Sequence, residues 1–471
     1  MTPNERRPEK IAEPSGRHPA GGLTRRAFLS SSATAAAGLM IVPRRVLGGP
    51  GYQAPSDTLN IGCVGAGGKG SSDIWAASTE NIVALCDADD TQMAQFLGNK
   101  ENKPEYQPMY DRAKKYRDFR QMLDKEKSLD AITVSTPDHT HAVIAMTAIK
   151  MKKHAFVQKP LTHTIMEARL LAQEAKKQNI VSQMGNQGHA EEGARLICEW
   201  IWDGAIGDVT EVHVWTNRPI WPQGIDAPKE IPSVPPTVDW DVWLGPAPWR
   251  PYHPAYMPFV WRGWWDFGTG AVGDMGAHLI DQPFWALKLG HPSTVQASSS
   301  PFTKDSYPLA EVITYNFPAR GAMPPVRMIW YDGGMMPPRP AGLEDGRMMG
   351  DEDGGVLFVG QKGMLMCNTY GESPRLVPEK LMQDYKRPEK TIPRSPGIME
   401  EWIAAIKAGK KSTTDFEYSG MLTEVMLLGN VALRMKDEKA VLEWDGEKMQ
   451  VTNLPEANKY MHKEYRQGWS L

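Results

Sequence analysis

The chain has 471 residues, 41% of them hydrophobic and 23% charged, with a formal net charge of −3. That is enough apolar sequence for a substantial core, and the near-balanced charge gives no electrostatic case for nucleic acid or an acidic membrane surface. Four cysteines with no C-x-x-C pair argue for buried free thiols over disulfides, and no metal is expected.

In chain order, the first readable feature is Thr24-Arg25-Arg26-Ala27-Phe28-Leu29, a twin-arginine pattern ahead of the modestly apolar Ser30 to Val42. A membrane span needs about 20 strongly apolar residues, and this run is shorter and milder. Residues 1–55 therefore read as a signal and linker that engage the twin-arginine export machinery. The folded protein is expected in the periplasm or beyond, tethered to the membrane if the signal stays uncleaved. The alternative is a basic tail with a chance Arg pair. About 415 residues follow, enough for two domains.

Leu59 to Val64 reads as a buried strand, and a helix opens between Ser71 and Ala77. Between them lies Gly65-Ala66-Gly67-Gly68-Lys69-Gly70, in which Gly65, Gly67 and Gly70 fit G-x-G-x-x-G. The first glycine permits a tight turn, the second admits a pyrophosphate, and the third lets helix pack on strand. The helix N-terminus offers unpaired N–H groups to the phosphates. A second apolar run, Ile82 to Cys86, ends at Asp87, 22 residues beyond Gly65. An acid there grips the ribose hydroxyls and repels a 2′-phosphate, which favours NAD over NADP. Asp89 and Asp90 lie close enough to compete for that role.

Strands at Leu129–Ser135, Ala155–Val157 and Ile180–Met184 alternate with helices at Ala142–Lys150 and Ile165–Gln178, while Lys100 to Asp111 reads as a loop. This alternation predicts a Rossmann domain over 56–185 with a doubly wound parallel sheet. A helix from Ala190 to Asp203 leads into a strand at Val209–Thr216 and a long Pro- and Trp-rich excursion, Arg218 to Trp261. Short strands at Val295–Ser299, Glu311–Phe317, Val326–Tyr331 and Val356–Val359 predict a mostly antiparallel sheet in a C-terminal α/β domain, 186–471. Met335 to Gly355 reads as a loop, and helices at Gly397–Ala408 and Tyr418–Met435 close the fold. The Trp261-Arg262-Gly263-Trp264-Trp265-Asp266 cluster suits either packing or a sugar-binding cleft.

The chain resembles the glucose–fructose oxidoreductase/inositol dehydrogenase (Gfo/Idh/MocA) family. The resemblance rests on the glycine loop, on Ser135-Thr136-Pro137-Asp138-His139-Thr140-His141, on Lys159-Pro160, and on the D-x-x-x-H pair Asp274 and His278. Lys159 follows a strand and so stands at the carboxyl edge of the sheet, where ligands of open α/β sheets bind. Asp274 and His278 are four apart on an expected helix from Gly273 to Lys288, hence on one face; the residues alone suit either a helix-capping Asp with a hydrogen-bonded core His or a His oriented by a carboxylate for proton removal, and the resemblance favours the second.

The resemblance implies that Lys159 and His278 contact the reacting hydroxyl, that Asp274 aids substrate placement, and that the C-terminal sheet is open, either packing face to face between subunits of a homo-oligomer, as is common in the family, or capped by this chain's own long loops. It also implies that Thr136, Pro137, His141 and Lys159 lie on the nicotinamide side. Asn186, Gln187 and His189 either reach sugar hydroxyls or form a polar interdomain turn. Arg262, Trp264 and Asp266 are further substrate candidates. Gln158 stands where the family has Glu, which is expected to leave the Lys159 ammonium less stabilised and its pKa lower. The expected function is NAD-dependent hydride transfer on a sugar, sugar acid or polyol. A redox-neutral NAD-dependent glycoside hydrolase is the alternative, and a non-catalytic nucleotide- or sugar-binding protein is the third reading.

Overall fold

Two sheets organise the described residues. The computed structural model describes residues 57–98, 106–438 and 440–471, so the twin-arginine segment lies outside the described residues. The chain divides into Met1–Thr58 and Leu59–Leu471, and the elements below belong to the second.

The first sheet holds β1 (Asn60–Val64), β2 (Asn81–Cys86), β3 (Lys114–Tyr116), β4 (Ala131–Val134), β5 (His154–Val157) and β6 (Ser182–Met184). All pairings are parallel, in the order β3-β2-β1-β4-β5-β6. The order reverses at β1 and β4, and the crevice beyond their carboxyl ends is where open α/β sheets bind ligands. Helices cover the sheet, so β4 is buried at every position. The helix Ile165–Gln178 has the predicted bounds because both ends are marked. Thr164 and Glu167 form a reciprocal capping box, and Asn179 closes the helix in the left-handed conformation.

The second sheet has nine strands, in the order β13-β12-β11-β7-β10-β9-β8-β14-β15. They are β7 (Val209–Thr216), β8 (Thr294–Ser299), β9 (Glu311–Phe317), β10 (Val326–Tyr331), β11 (Gly354–Gly360), β12 (Gly363–Cys367), β13 (Arg375–Val377), β14 (Leu442–Asp445) and β15 (Gln450–Val451). Only β7 and β10 pair in parallel. Burial alternates along β9 and β10, as in a sheet with one face on the core. The helices Gly270–Leu279 and Phe416–Arg434 pack on that sheet.

Several elements differ from expectation. Where one helix is predicted from Gly273 to Lys288, the structure has Gly270–Leu279 and then Asp281–Ala286, with Pro283 in the second. Proline lacks the N–H that a continuous helix would need there, so the ladder is interrupted. The strand Lys114–Tyr116 is short, polar and at the sheet edge, and Gln107–Arg112 is helical where a loop is expected. The tryptophans Trp240, Trp243 and Trp264 pack with Tyr256 and Phe267 in one buried aromatic cluster. All four cysteines are buried and free. Among the described residues, no helix is long and apolar enough to cross a membrane.

Candidate active site

The glycine loop after β1 shows why these positions exclude side chains. Gly65 has φ +86, and a Cβ there would stand 2.5 Å from the Ser135 carbonyl oxygen. A Cβ on Gly70 would run into the Gly65 carbonyl, so the helix Lys69–Ala76 could not start where it does. That helix has no side-chain cap at Gly68, and a Cβ on Gly68 would meet only open space. The Gly70 and Ser71 N–H groups turn back to the Gly67 and Gly68 carbonyls at 2.9 and 3.2 Å, which leaves the Gly68–Lys69 edge of the turn to face an anion.

Asp87 ends β2 beside this loop. Its Oδ2 accepts from the Ala66 N–H at 2.8 Å and its Oδ1 from the Asp89 N–H at 3.0 Å. Burial pushes its carboxyl up to about 6. Asp89 instead caps its own turn through Thr91, and Asp90 pairs with Arg117. A cleft of about 340 Å³ runs past Gly65, Gly67, Gly68 and Asp87 to Thr136, Pro137, Lys159 and Arg262. The loop and uncapped helix fit a pyrophosphate, and Asp87 fits a ribose.

At the far end of that cleft, Lys159 donates from Nζ to the Asp274 carboxylate and to the Asp274 carbonyl, both at 2.8 Å. Arg262 Nε donates to the same Oδ1 at 2.9 Å. Burial alone would raise the Asp274 carboxyl, but the Lys159 and Arg262 charges outweigh it and hold it well below the carboxylate range. Asp274 thus bonds two cations rather than orienting His278, as the sequence suggested. His278, one turn further on the Gly270–Leu279 helix, is buried with its ring edge-on to Tyr370 at 4.7 Å. Its Nδ1 has no hydrogen-bond partner. Burial first, then the Lys159 charge, push its pKa well below the usual histidine value, so the ring is neutral at pH 7.

Gln158 has a partner of its own. Its Nε2 donates to the buried Asp73 carboxylate at 2.9 Å, and Asp73 also accepts from Ser135 Oγ at 2.7 Å and Lys69 Nζ at 2.6 Å. A carboxylate therefore stands behind Gln158, while Lys159 takes its own from Asp274.

The remaining candidates separate. Asn186 is fully buried, and neither end of its amide has a partner. Gln187, with its amide oriented to satisfy both ends, donates to the Gly185 carbonyl at 3.1 Å and accepts from Lys69 Nζ at 3.0 Å. His141 does not line the cleft: its nitrogens lie 2.8 Å from the Pro160 and Thr136 carbonyls, so it staples two turns from behind. His189 is locked in a buried cluster, bonded to Asp281 at 2.9 Å and stacked on Trp285 at 4.0 Å. Trp264 is 1% exposed and edge-packed on Tyr256, so it offers no face to a sugar. Asp266 pairs with Arg250 and lines a different cavity. Tyr370, in the turn after β12, and Asp73 were missed because neither belongs to a spaced motif. Asp138, whose carboxyl burial pushes up to about 7, accepts from Thr269 Oγ1 at 2.6 Å and so ties the turn to the start of the Gly270–Leu279 helix.

Residues 59–186 match the Gfo/Idh/MocA model described as an oxidoreductase family, NAD-binding Rossmann fold, and residues 208–320 match that family's C-terminal alpha/beta domain. The chain belongs to the Gfo/Idh/MocA oxidoreductase family. Its cofactor is NAD, and the glycine loop and Asp87 are the residues that fit it. A levoglucosan dehydrogenase of Pseudarthrobacter phenanthrenivorans is 25% identical over 169 residues, 35% of this chain and 34% of that protein. A glycosyl hydrolase family 109 protein of Shewanella pealeana is 26% identical over 210 residues, 40% of this chain and 44% of that protein. The chain thus matches less than half the length of these relatives. A solved levoglucosan dehydrogenase in complex with NADH and levoglucosan shares the fold at TM-score 0.55 and 17% identity, over 82% of this chain and 99% of that one.

Proposed function

We propose that the protein is an NAD-dependent oxidoreductase that oxidises a hydroxyl-bearing carbon of a sugar, sugar acid or polyol. One observation carries this reading: an ammonium fixed at 2.8 Å on a buried carboxylate, in the cleft that holds the dinucleotide loop. Bound NAD⁺ supplies the hydride acceptor. Lys159 donates a hydrogen bond to the reacting oxygen and stabilises charge that develops on it. His278, kept neutral by burial and by the Lys159 charge, accepts the hydroxyl proton. Asp274 holds Lys159 and Arg262 in place. Asp87 selects NAD over NADP by repelling a 2′-phosphate. The twin-arginine pattern supports export of the folded protein with its cofactor.

A second reading is favoured by the match to the family 109 glycosyl hydrolase. Oxidation of a ring hydroxyl acidifies the neighbouring C–H, so elimination, hydration and reduction can cleave a glycoside with no net change in NAD. The experiment that separates the two follows NADH absorbance and products by mass spectrometry, with free sugars and glycosides as substrates. A ketosugar with stoichiometric NADH establishes the dehydrogenase. Released aglycone without net NADH establishes the hydrolase, and no product across the panel overturns both.

A further inference from the structure

A second cavity, of about 290 Å³, lies between the Phe416–Arg434 helix, the Trp265–Asp266 segment and the C-terminal residues near Lys463, and shares no lining residue with the nucleotide cleft. Two of its side chains have hydrogen-bonding capacity to spare. Asn430 is only 8% exposed and donates from Nδ2 to the Thr269 carbonyl at 2.9 Å, yet its Oδ1 has no hydrogen-bond donor. Arg434 lies with its guanidinium 3.5 Å over the Trp265 ring and 5.3 Å from the Tyr460 ring and, among the described residues, makes no salt-bridge contact, although Asp266 in the same cavity attracts it. The other charges inside are matched: Asp266 pairs with Arg250, and Lys463 with Glu167 at 3.2 Å. Glu464 is exposed at the rim.

We propose that this cavity binds a small hydroxylated carboxylate, with its carboxylate on the N–H edge of Arg434 and a hydroxyl donating to Asn430 Oδ1. A guanidinium fork matches a carboxylate in two parallel hydrogen bonds, and stacking on Trp265 holds its plane before the ligand arrives. A buried acceptor without a donor is costly, so a ligand that brings an O–H as well as a negative charge satisfies both groups at once. A neutral sugar leaves Arg434 unmatched, and a simple anion such as acetate leaves Asn430 Oδ1 unmatched. The site touches the catalytic scaffold from behind. Asn430 holds the carbonyl of Thr269, which precedes the helix of Asp274 and His278, and Lys463 donates to the His139 carbonyl at 3.1 Å.

The test is calorimetric titration of the full chain with D-gluconate, against D-glucose and acetate. Saturable gluconate binding, weakened about tenfold or more by Arg434→Gln while NADH binding is kept, is the expected result. Arg434→Lys retains the charge without the fork and is expected to bind gluconate more weakly than wild type. A wild-type crystal soaked in gluconate gives an arm independent of any variant, with density expected beside Arg434 and Asn430. No gluconate binding, equal binding in Arg434→Gln, equally tight glucose binding, or density in the nucleotide cleft alone each overturns the proposal.

Discussion

Replacing Asp274 with Asn keeps the shape of the side chain and removes the one charge that two cations share. Lys159 and Asp274 are 14% and 11% exposed at the side chain, so water screens the pair little. At 2.8 Å and an effective dielectric of about 20, one such pair is worth roughly 6 kcal/mol before desolvation. Desolvation offsets much of that, but removing one partner of a buried pair strands the other, at about 3–5 kcal/mol. Here it strands Lys159 and Arg262 together. Asp274→Asn is therefore expected to lose about 3–5 kcal/mol in urea unfolding at pH 7.5. Lys159→Met in the same background should cost less than it does alone, because its partner is already gone. The folded pKa of Asp274 is depressed, so its stabilisation is complete above the unfolded carboxyl value, about 4, and is lost as pH falls through the depressed value. The gap between wild type and Asp274→Asn should hold steady from neutral pH down to about 5 and close in stronger acid. A variant within about 0.5 kcal/mol of wild type, or a gap that closes as pH rises, refutes the reasoning.

Gly70→Ala should abolish NADH binding while a folded core remains, as read by fluorescence titration, because its Cβ meets the Gly65 carbonyl at the loop itself. NADH affinity should fall as pH drops through about 6, where the Asp87 carboxyl gains a proton, and Asp87→Asn should flatten that dependence. His278→Asn should lower kcat by about 10²–10⁴ with NADH affinity unchanged, and a kcat near wild type would remove it as proton acceptor. Trp264→Ala should cost about 3–5 kcal/mol of stability and leave KM for the carbohydrate intact, since the ring is core rather than platform.

The dinucleotide half was legible because its constraints are local. A turn that needs Gly65 and Gly70, a strand before it and an acid after β2 are all adjacent in sequence, and Lys159 is placed by the strand it follows. The partner of Asp274 was not legible. Spacing put His278 within reach, but the carboxylate turned to Lys159, 115 residues away, and to Arg262. Trp264 and Asp266 stand beside Arg262 in sequence, yet a 3-10 turn over Phe259–Gly263 sends them to the aromatic core and the second cavity. His189 and His141 carry chemistry in principle, but tertiary packing closes them off with Asp281 and with two carbonyls. Tyr370 reaches His278 only because β12 joins the second sheet, and its short strand carries no strong pattern.

The most direct test of the central claim is isotopic. A carbohydrate substrate carrying deuterium on its hydroxyl-bearing carbons is mixed with the protein and NAD⁺, and the cofactor is then recovered for mass spectrometry. Deuterium on the nicotinamide ring is predicted, whether the reaction ends as a dehydrogenase or as a redox-neutral hydrolase. Turnover of that substrate with no label ever reaching the cofactor would contradict hydride transfer at this site.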